Sequence, residues 1–154
     1  MDYNLVKWLH VISATLLFGT GLGTAYYLLC AHLSRDVHAI AAVSRWVVVA
    51  DWMFTAPAVI LQPLSGVYLA HAAGYSFTGP WLLWSIALYI LTGLCWLPVV
   101  WLQIRMRDLA GLAVAAHQPL PAVYWRYARA WLWLGIPAFV AVLMIFYLMV
   151  AKPA

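Results

Sequence analysis

The chain has 154 residues, of which 68% are hydrophobic and only 8% are charged. A soluble globular domain has about 45–50% apolar and about 25% charged residues, so this composition excludes a soluble enzyme, a disordered segment and a small disulfide scaffold. The net charge is +4, but no basic patch accompanies it, and we expect no nucleic-acid partner. The class that remains is an integral membrane protein of one domain.

Four apolar runs follow one another along the chain, and each is long enough to cross a membrane. They cover residues 5–31, 46–73, 81–104 and 130–151. A membrane-spanning helix needs about 20 apolar residues, and none of the runs alternates with the period of two that is typical of a β-barrel strand. The sequence therefore predicts an all-α fold, an integral membrane four-helix bundle, within a single transmembrane domain.

The charges indicate how the bundle is oriented. The linkers at residues 32–45 and 105–129 hold six arginines: Arg35, Arg45, Arg105, Arg107, Arg126 and Arg129. The opposite side carries only Lys7 and Lys152. Because Lys and Arg concentrate in cytoplasmic loops, we expect both arginine-rich linkers in the cytoplasm and both termini outside.

Span two carries a stripe of small and polar residues. Asp51, Thr55, Ala58, Gln62 and Ser65 recur at spacings of 4, 3, 4 and 3, which places them on one helical face. Lipid cannot satisfy polar groups, so this face must look into the bundle. Two interpretations are open: a tight helix–helix seam in which Gln62 and Ser65 are hydrogen-bonded, or the lining of a site for a polar or redox molecule.

Asp51 has two interpretations of its own. Three arginines lie near its depth: Arg45, Arg126 and Arg129. An ion pair with one of them would lower the cost of burying the acid; alternatively, Asp51 is a proton-transfer carboxylate that faces the cytoplasm. Pro57 and Pro63 interrupt the hydrogen bonds of this helix and can open space beside it.

Span one presents His10 above small residues. Ser13, Ala14 and Gly21 lie along or beside its helical face. An intramembrane histidine is a ligand, a proton carrier or a hydrogen-bonded core residue. Haem iron is commonly held by an axial histidine, and a flat porphyrin needs small residues beside the helix. The pattern around His10 offers both.

The other histidines give a weaker pattern. His71, at the far end of span two, falls on the same side of the membrane as His10 and is the best choice for a second axial ligand, although helical projection turns it toward lipid, another helix or a second subunit. We expect the remaining three at the surface: His32, His38 and His117. On the opposite face of span one, Gly19 and Gly23 form a Gly-x-x-x-Gly pair, which is typical of close helix packing in membranes. We also expect the bundle to form a homo-oligomer.

Several segments resemble a family of small bacterial inner-membrane proteins that is defined by a domain of unknown function. They are LVKWLHVISA (5–14), FGTGLG (18–23), DWMFTAP (51–57), QPLSG (62–66) and WLWLGIP (131–137). The resemblance covers nearly the whole chain. It implies a multi-pass protein of the bacterial cytoplasmic membrane.

A first span that opens Lys-x-x-His, here Lys7 to His10, also resembles HemJ-type protoporphyrinogen oxidases and CopD-like membrane proteins more distantly. The HemJ-type resemblance implies a bundle of four or more helices and a b-type haem that depends on the first-helix histidine. Only His10 carries over by position. The CopD-like resemblance suggests copper instead.

These observations together predict a cytochrome b-like membrane protein that binds haem b. The iron ligands would be His10 and His71, with Ser13, Ala14 and Gly21 beside the ring. The protein would act in membrane electron transfer or in quinol or porphyrinogen oxidation, as a membrane-bound oxidoreductase. Asp51, Gln62 and Arg126 would bind or deprotonate the substrate. The alternatives are copper or small-solute transport coupled to protons at Asp51, and a non-catalytic membrane subunit.

Overall fold

The computed structural model describes residues 2–153 and consists of four long helices joined by three short connections. The helices are α1 (Tyr3–Ser34), α2 (Val37–Ala72), α3 (Pro80–Ala115) and α4 (Ala122–Ala151). All four are long and apolar enough to span a membrane, and the described chain contains no strand. The prediction of an all-α bundle with four membrane-spanning helices is confirmed.

The connections are shorter than the sequence predicted. The expected linker at residues 32–45 is helical except for Arg35 and Asp36, and the expected linker at 105–129 contains only the break at 116–121. The polar and charged residues of both linkers lie on helices that continue past the apolar runs. Charged residues indicate where a helix leaves the membrane, but each of these helices continues beyond that point before it ends.

Local geometry explains where the helices stop. Arg35 adopts a left-handed conformation with φ 58°, and the Asp36 side chain then accepts hydrogen bonds from the backbone N–H groups of His38 and Ala39, which caps the start of α2. Gly74, with φ 72°, supplies the positive φ that the turn after α2 requires. Pro80 occupies the first turn of α3, where its missing N–H costs nothing.

The chain runs up and down, so the molecule has two distinct ends. The terminal end contains the start of α1, the end of α4 and the connection at residues 73–79. Lys152 Nζ donates to Tyr75 Oη at 2.6 Å and so joins the end of α4 to this connection. The arginine-rich end contains the connections at 35–36 and 116–121. An even number of crossings places both termini on one side. That this side is the outer one stays a prediction.

The largest core lies in the half of the bundle near the arginine-rich end. There Leu28, Ile40, Met106 and Tyr124 are completely buried, one from each helix. His32 belongs to this region too: its Nε2 lies 2.8 Å from Tyr124 Oη. The expectation that His32 is a surface residue is therefore wrong, because α4 folds back over it.

Packing is uneven around the bundle. α1 contacts α2, α2 contacts α3, and α3 packs closely along α4. α1 and α4 meet at the arginine-rich end through His32 and Tyr124. Farther along, they approach through aromatic side chains, where the ring of Phe18 lies 5.6 Å from that of Phe139 and 5.4 Å from that of Phe146, centroid to centroid. The loose pairing of α1 with α4 leaves space between them.

Candidate functional site

The polar stripe of α2 faces the interior of the bundle, as the sequence predicted. Asp51, Thr55 and Ala58 are buried, and Gln62 and Ser65 are half-buried. The five residues nevertheless form two separate sites. Gln62 and Ser65 contact α1 in the half near the terminal end, whereas Asp51 and Thr55 line a cavity nearer the arginine-rich end.

A π-helical turn shapes the cavity side of α2. It covers Asp51–Thr55 and is closed by a hydrogen bond from the N–H of Ala56 to the carbonyl of Asp51, directly before Pro57. The wide turn keeps Asp51 and Thr55 buried while the three residues between them face outward: Trp52, Met53 and Phe54. Such π-bulges often occur at functional sites.

The contact between α1 and α2, which we call the His10 seam, consists of His10, Ser13, Gln62 and Ser65. His10 Nδ1 lies 2.7 Å from Ser65 Oγ, and that hydroxyl donates its own hydrogen to the Leu61 carbonyl at 2.5 Å. With the hydroxyl hydrogen directed to Leu61, the tautomer assigned to His10 carries its hydrogen on Nδ1 and donates it to Ser65. His10 Nε2 is then the basic nitrogen of the ring.

Gln62 completes the seam. Its amide Nε2 donates to the backbone carbonyl of His10 at 2.8 Å and to Ser13 Oγ at 2.7 Å. A Cβ at Gly66 would lie 3.4 Å from His10 Cε1, so the imidazole lies close to the backbone of α2 at this glycine. For Gln62 and Ser65, the interpretation as a hydrogen-bonded helix–helix seam is correct.

The cavity, which we call the Asp51 cavity, has a volume of about 330 Å³ and is lined by all four helices. Its walls are mostly apolar. Representative lining residues are Gly21, Leu17, Trp96, Trp131, Gly135 and Phe139. Its buried polar groups come from Asp51, Thr55 and Gln103. The hydroxyls of Thr24 and Thr92, also in the lining, donate to carbonyls of their own helices.

The polar end of the cavity contains unsatisfied hydrogen-bond acceptors. Thr55 Oγ1 donates to Asp51 Oδ1 at 3.0 Å. Asp51 Oδ2 and Gln103 Oε1 have no hydrogen-bond partner among the described residues. Water cannot easily satisfy them, because Asp51 and Gln103 are only 5% and 6% exposed. An unsatisfied buried acceptor costs about 1–3 kcal/mol, and more when it is charged, so this end of the cavity favours a molecule that brings a donor.

Gln103 was not singled out from the sequence. The available signal was an amide inside the third apolar run, where every polar group needs a partner. Sequence alone could not show that Gln103 of α3 faces the same space as Asp51 of α2, because the two residues lie on different helices.

No arginine pairs with Asp51. Within residues 2–153 the Arg–Asp ion pair is that of Arg107 with Asp108, at 2.7 Å. The interpretation of Asp51 as half of an ion pair is therefore wrong: equal depth does not make two side chains face each other. Arg126 is exposed on the first turns of α4 and does not line the Asp51 cavity.

The Asp51 cavity opens toward the lipid. Several of its lining residues are exposed on the outside of the bundle along α1 and α4: Leu22, Leu132, Ile136, Phe139 and Val140. These two helices pair loosely, so the opening lies between them. The opening therefore leads from the lipid-facing side of the bundle into the cavity that Asp51 lines.

The predicted iron ligands lie apart within one chain. His71 is exposed and follows Ser65 by six residues on the same helix, which places it about 9 Å further along the axis and about 240° around it. The contacts of His10 are with Ser65 and Gly66. Ala14 is half-buried on α1, and Gly21 lines the Asp51 cavity instead.

Comparison with known proteins identifies a family. Residues 4–153 match the family described as "predicted integral membrane protein", DUF2269. The resemblance to a membrane family of unknown function is thereby confirmed, whereas the distant resemblance to HemJ-type and CopD-like proteins is not shown and stays a hypothesis. No curated protein and no solved structure matches the chain.

The His10 seam predicts a loss of stability when Gln62 is truncated. Interhelical hydrogen bonds in membranes contribute about 0.6 kcal/mol on average and up to about 1.7 kcal/mol. Because Gln62 makes two, we expect Gln62→Ala to lower the free energy of unfolding by about 1–2 kcal/mol, measured by denaturant titration in mixed micelles. Gln118→Ala, in an exposed connection, is the matched control and should change nothing. An equal loss in both variants would contradict the assignment.

Proposed function

The chain belongs to the DUF2269 family of integral membrane proteins, and we propose that it binds a lipid-soluble hydroxyl compound of the quinol type in the Asp51 cavity. The observation that carries this proposal is that Asp51 and Gln103, whose Oδ2 and Oε1 are buried without a hydrogen-bond partner among the described residues, line the same cavity. In this proposal Asp51 receives the proton of the bound hydroxyl group.

The hydrogen-bonding capacity of the two side chains suits a hydroxyl group. A hydroxyl donates one hydrogen bond and accepts others. It can donate to Asp51 Oδ2, and after rotation of the Gln103 amide it can accept from Nε2. A carbonyl compound has no hydrogen to donate and would leave Asp51 Oδ2 unsatisfied. The cavity therefore favours the reduced, hydroxyl form of a quinone over the oxidised form.

Size and access favour a single-ring head group with an apolar tail. The cavity of about 330 Å³ lies near the lower end of the about 300–1,000 Å³ that is typical of small-molecule sites. A tetrapyrrole is much larger than one aromatic ring, so the cavity suits a quinol better than a porphyrinogen. The opening between α1 and α4 leads into the hydrocarbon layer, where an isoprenoid tail can remain.

A proton transfer in this site follows from the surroundings of Asp51. The carboxylate has no positive partner, and a charge buried without compensation is costly. When the hydroxyl O–H bond breaks and an Oδ2–H bond forms, the carboxyl group becomes neutral and the negative charge passes to the ring oxygen, where an aromatic system delocalises it. Thr55 keeps the carboxyl group oriented through Oδ1.

This proposal predicts selective binding of duroquinol, a small hydroquinone, over its oxidised form duroquinone. Loss of a hydrogen bond to a charged group costs about 1.5–3 kcal/mol, which corresponds to about tenfold to a hundredfold in affinity. We expect that difference between duroquinol and duroquinone, and between the wild-type protein and Asp51→Asn, in calorimetric titrations in detergent under anaerobic conditions. Asp36→Asn is the control, because asparagine caps a helix as well as aspartate does. Equal affinities for both forms would refute the proposal.

A second variant tests the same prediction by filling the cavity. Gly135 lines it, and no atom lies within 4 Å of the position of an added Cβ. Gly135→Leu should therefore fold and abolish duroquinol binding. Gly93→Leu, on α3 outside the cavity and equally free of close neighbours, should bind as the wild type does. Unchanged binding by Gly135→Leu would place the ligand elsewhere.

Haem b at His10 is the second candidate, and the His10 seam supports it. Metal-ligating histidines almost always donate their other ring N–H to an oxygen, and His10 makes that hydrogen bond to Ser65 while Nε2 stays free to coordinate iron. His71 of the same chain lies elsewhere on α2, so the other axial position would be open or filled by a second copy. Nothing in the described chain packs on Gly19 or Gly23, which favours association through that face of α1.

A bound haem would supply one-electron redox chemistry and make the protein a membrane oxidoreductase in a bacterial cytoplasmic membrane. We expect a reduced-minus-oxidised absorption spectrum of the purified protein, expressed with added haem precursor, to show Soret and α bands. His10→Ala should lose both bands, and His38→Ala, at an exposed position of α2, should keep them. A spectrum without bands in the wild type rules out haem but leaves the quinol proposal standing.

A further inference from the structure

A second depression lies at the arginine-rich end, between the first turns of α2 and the last turns of α3. We call it the basic groove. It has a volume of about 830 Å³ and shares no lining residue with the Asp51 cavity. Its charged residues are Arg45, Arg107 and Asp108, and the other residues that line it are apolar or glycine.

The charges in the basic groove are arranged asymmetrically. Arg107 donates from Nε and Nη2 to the same oxygen of Asp108, at 2.9 and 2.7 Å, which fixes the plane of its guanidinium group and leaves the N–H groups of Nη1 available. Arg45 forms no ion pair in the described chain; its guanidinium carbon lies 5.7 Å from the centre of the Trp46 ring. One acid and two arginines leave the groove with an excess of one positive charge.

The depth of the groove corresponds to the level of lipid head groups. Arg45 lies directly before the apolar run that begins at residue 46, and Arg107 lies three residues beyond the run that ends at residue 104. Val49 lies about one turn from Arg45 toward the hydrocarbon layer, whereas the other apolar and glycine residues of the groove, such as Ala42 and Gly111, lie on the side of the helix ends. Nothing lies within 4 Å of a Cβ at Gly111, so the floor of the groove is open.

From this arrangement we propose that the basic groove binds the head group of an anionic phospholipid of the phosphatidylglycerol type. The phosphate accepts hydrogen bonds from Arg45 and from the free N–H groups of Arg107, since guanidinium groups match phosphate geometry. The glycerol hydroxyls donate to Asp108 within the groove, and the acyl chains leave it past Val49 toward the hydrocarbon layer. The single negative charge of this lipid balances the excess positive charge of the groove.

The test is native mass spectrometry of the protein released from vesicles of equal parts phosphatidylglycerol and phosphatidylethanolamine. We expect phosphatidylglycerol to be retained preferentially. An arginine near an anionic membrane surface accounts for about a fivefold change in binding, so Arg45→Gln should reduce the retained fraction by about that factor. Arg45→Lys should keep most of it, and Arg129→Gln, an exposed arginine of α4 outside the groove, should keep all of it.

Gly111→Leu provides an independent check, because it fills the floor of the groove without removing a charge. It should also lose the lipid, and it serves as the deciding variant if Arg45→Gln does not fold. Equal retention of the two lipids by the wild type, or full retention by Gly111→Leu, would overturn the proposal.

Discussion

The interior of a membrane offers no hydrogen-bond partner, and this constraint determines what the polar stripe of α2 contacts. Every polar side chain on this helix must find its partner within the protein or remain unsatisfied. Gln62 and Ser65 find theirs on α1, and the resulting seam joins the two helices through His10 and Ser13. Asp51 accepts a hydrogen bond from Thr55 of its own helix and interacts with the Gln103 side chain of α3, and its Oδ2 lacks a well-aligned partner among the described residues. The same stripe thus produces both a packing contact and a candidate binding site.

The cavity depends on two departures from regular helix packing. The π-turn at Asp51–Thr55 widens α2 just before Pro57. Gly21 of α1 and Gly135 of α4 also line the cavity, and neither fills space with a side chain. The stacked rings of Phe18 and Phe139 partly fill the space between these helices. A fold that packed closely everywhere would leave Asp51 no room for a ligand, so we attribute the loose pairing of α1 and α4 to the site it encloses.

Much of the architecture could be predicted from the sequence, because membrane helices are long apolar runs whose side chains repeat every 3.6 residues. The four apolar runs predicted the number of helices. The spacing of the polar residues on α2 predicted that they face the interior of the bundle. The lengths of the helices could not be read in this way, since charged residues such as Arg107 mark a membrane boundary and leave the helix intact. His32 was misplaced because its burial depends on Tyr124, 92 residues away in the chain.

The candidate site was only partly predictable for the same reason. Depth in the membrane follows from position along a helix, but the direction of a side chain relative to another helix depends on how the helices pack. Sequence therefore grouped Asp51, Gln62 and Arg126 into one site, whereas the structure separates all three and places Gln103 beside the cavity instead. His10, expected to stand above open space, packs against Gly66.

The central claim is that the unsatisfied carboxyl oxygen of Asp51 takes up the proton of a membrane-dissolved ligand. Infrared difference spectroscopy of the carboxyl stretch, recorded as a hydroquinone is added to the protein in lipid bilayers, measures this event directly. The account predicts a change in one carboxyl band that is absent from Asp51→Asn and present in Asp36→Asn. A spectrum without carboxyl changes, or one that persists when Asp51 is replaced, would contradict it.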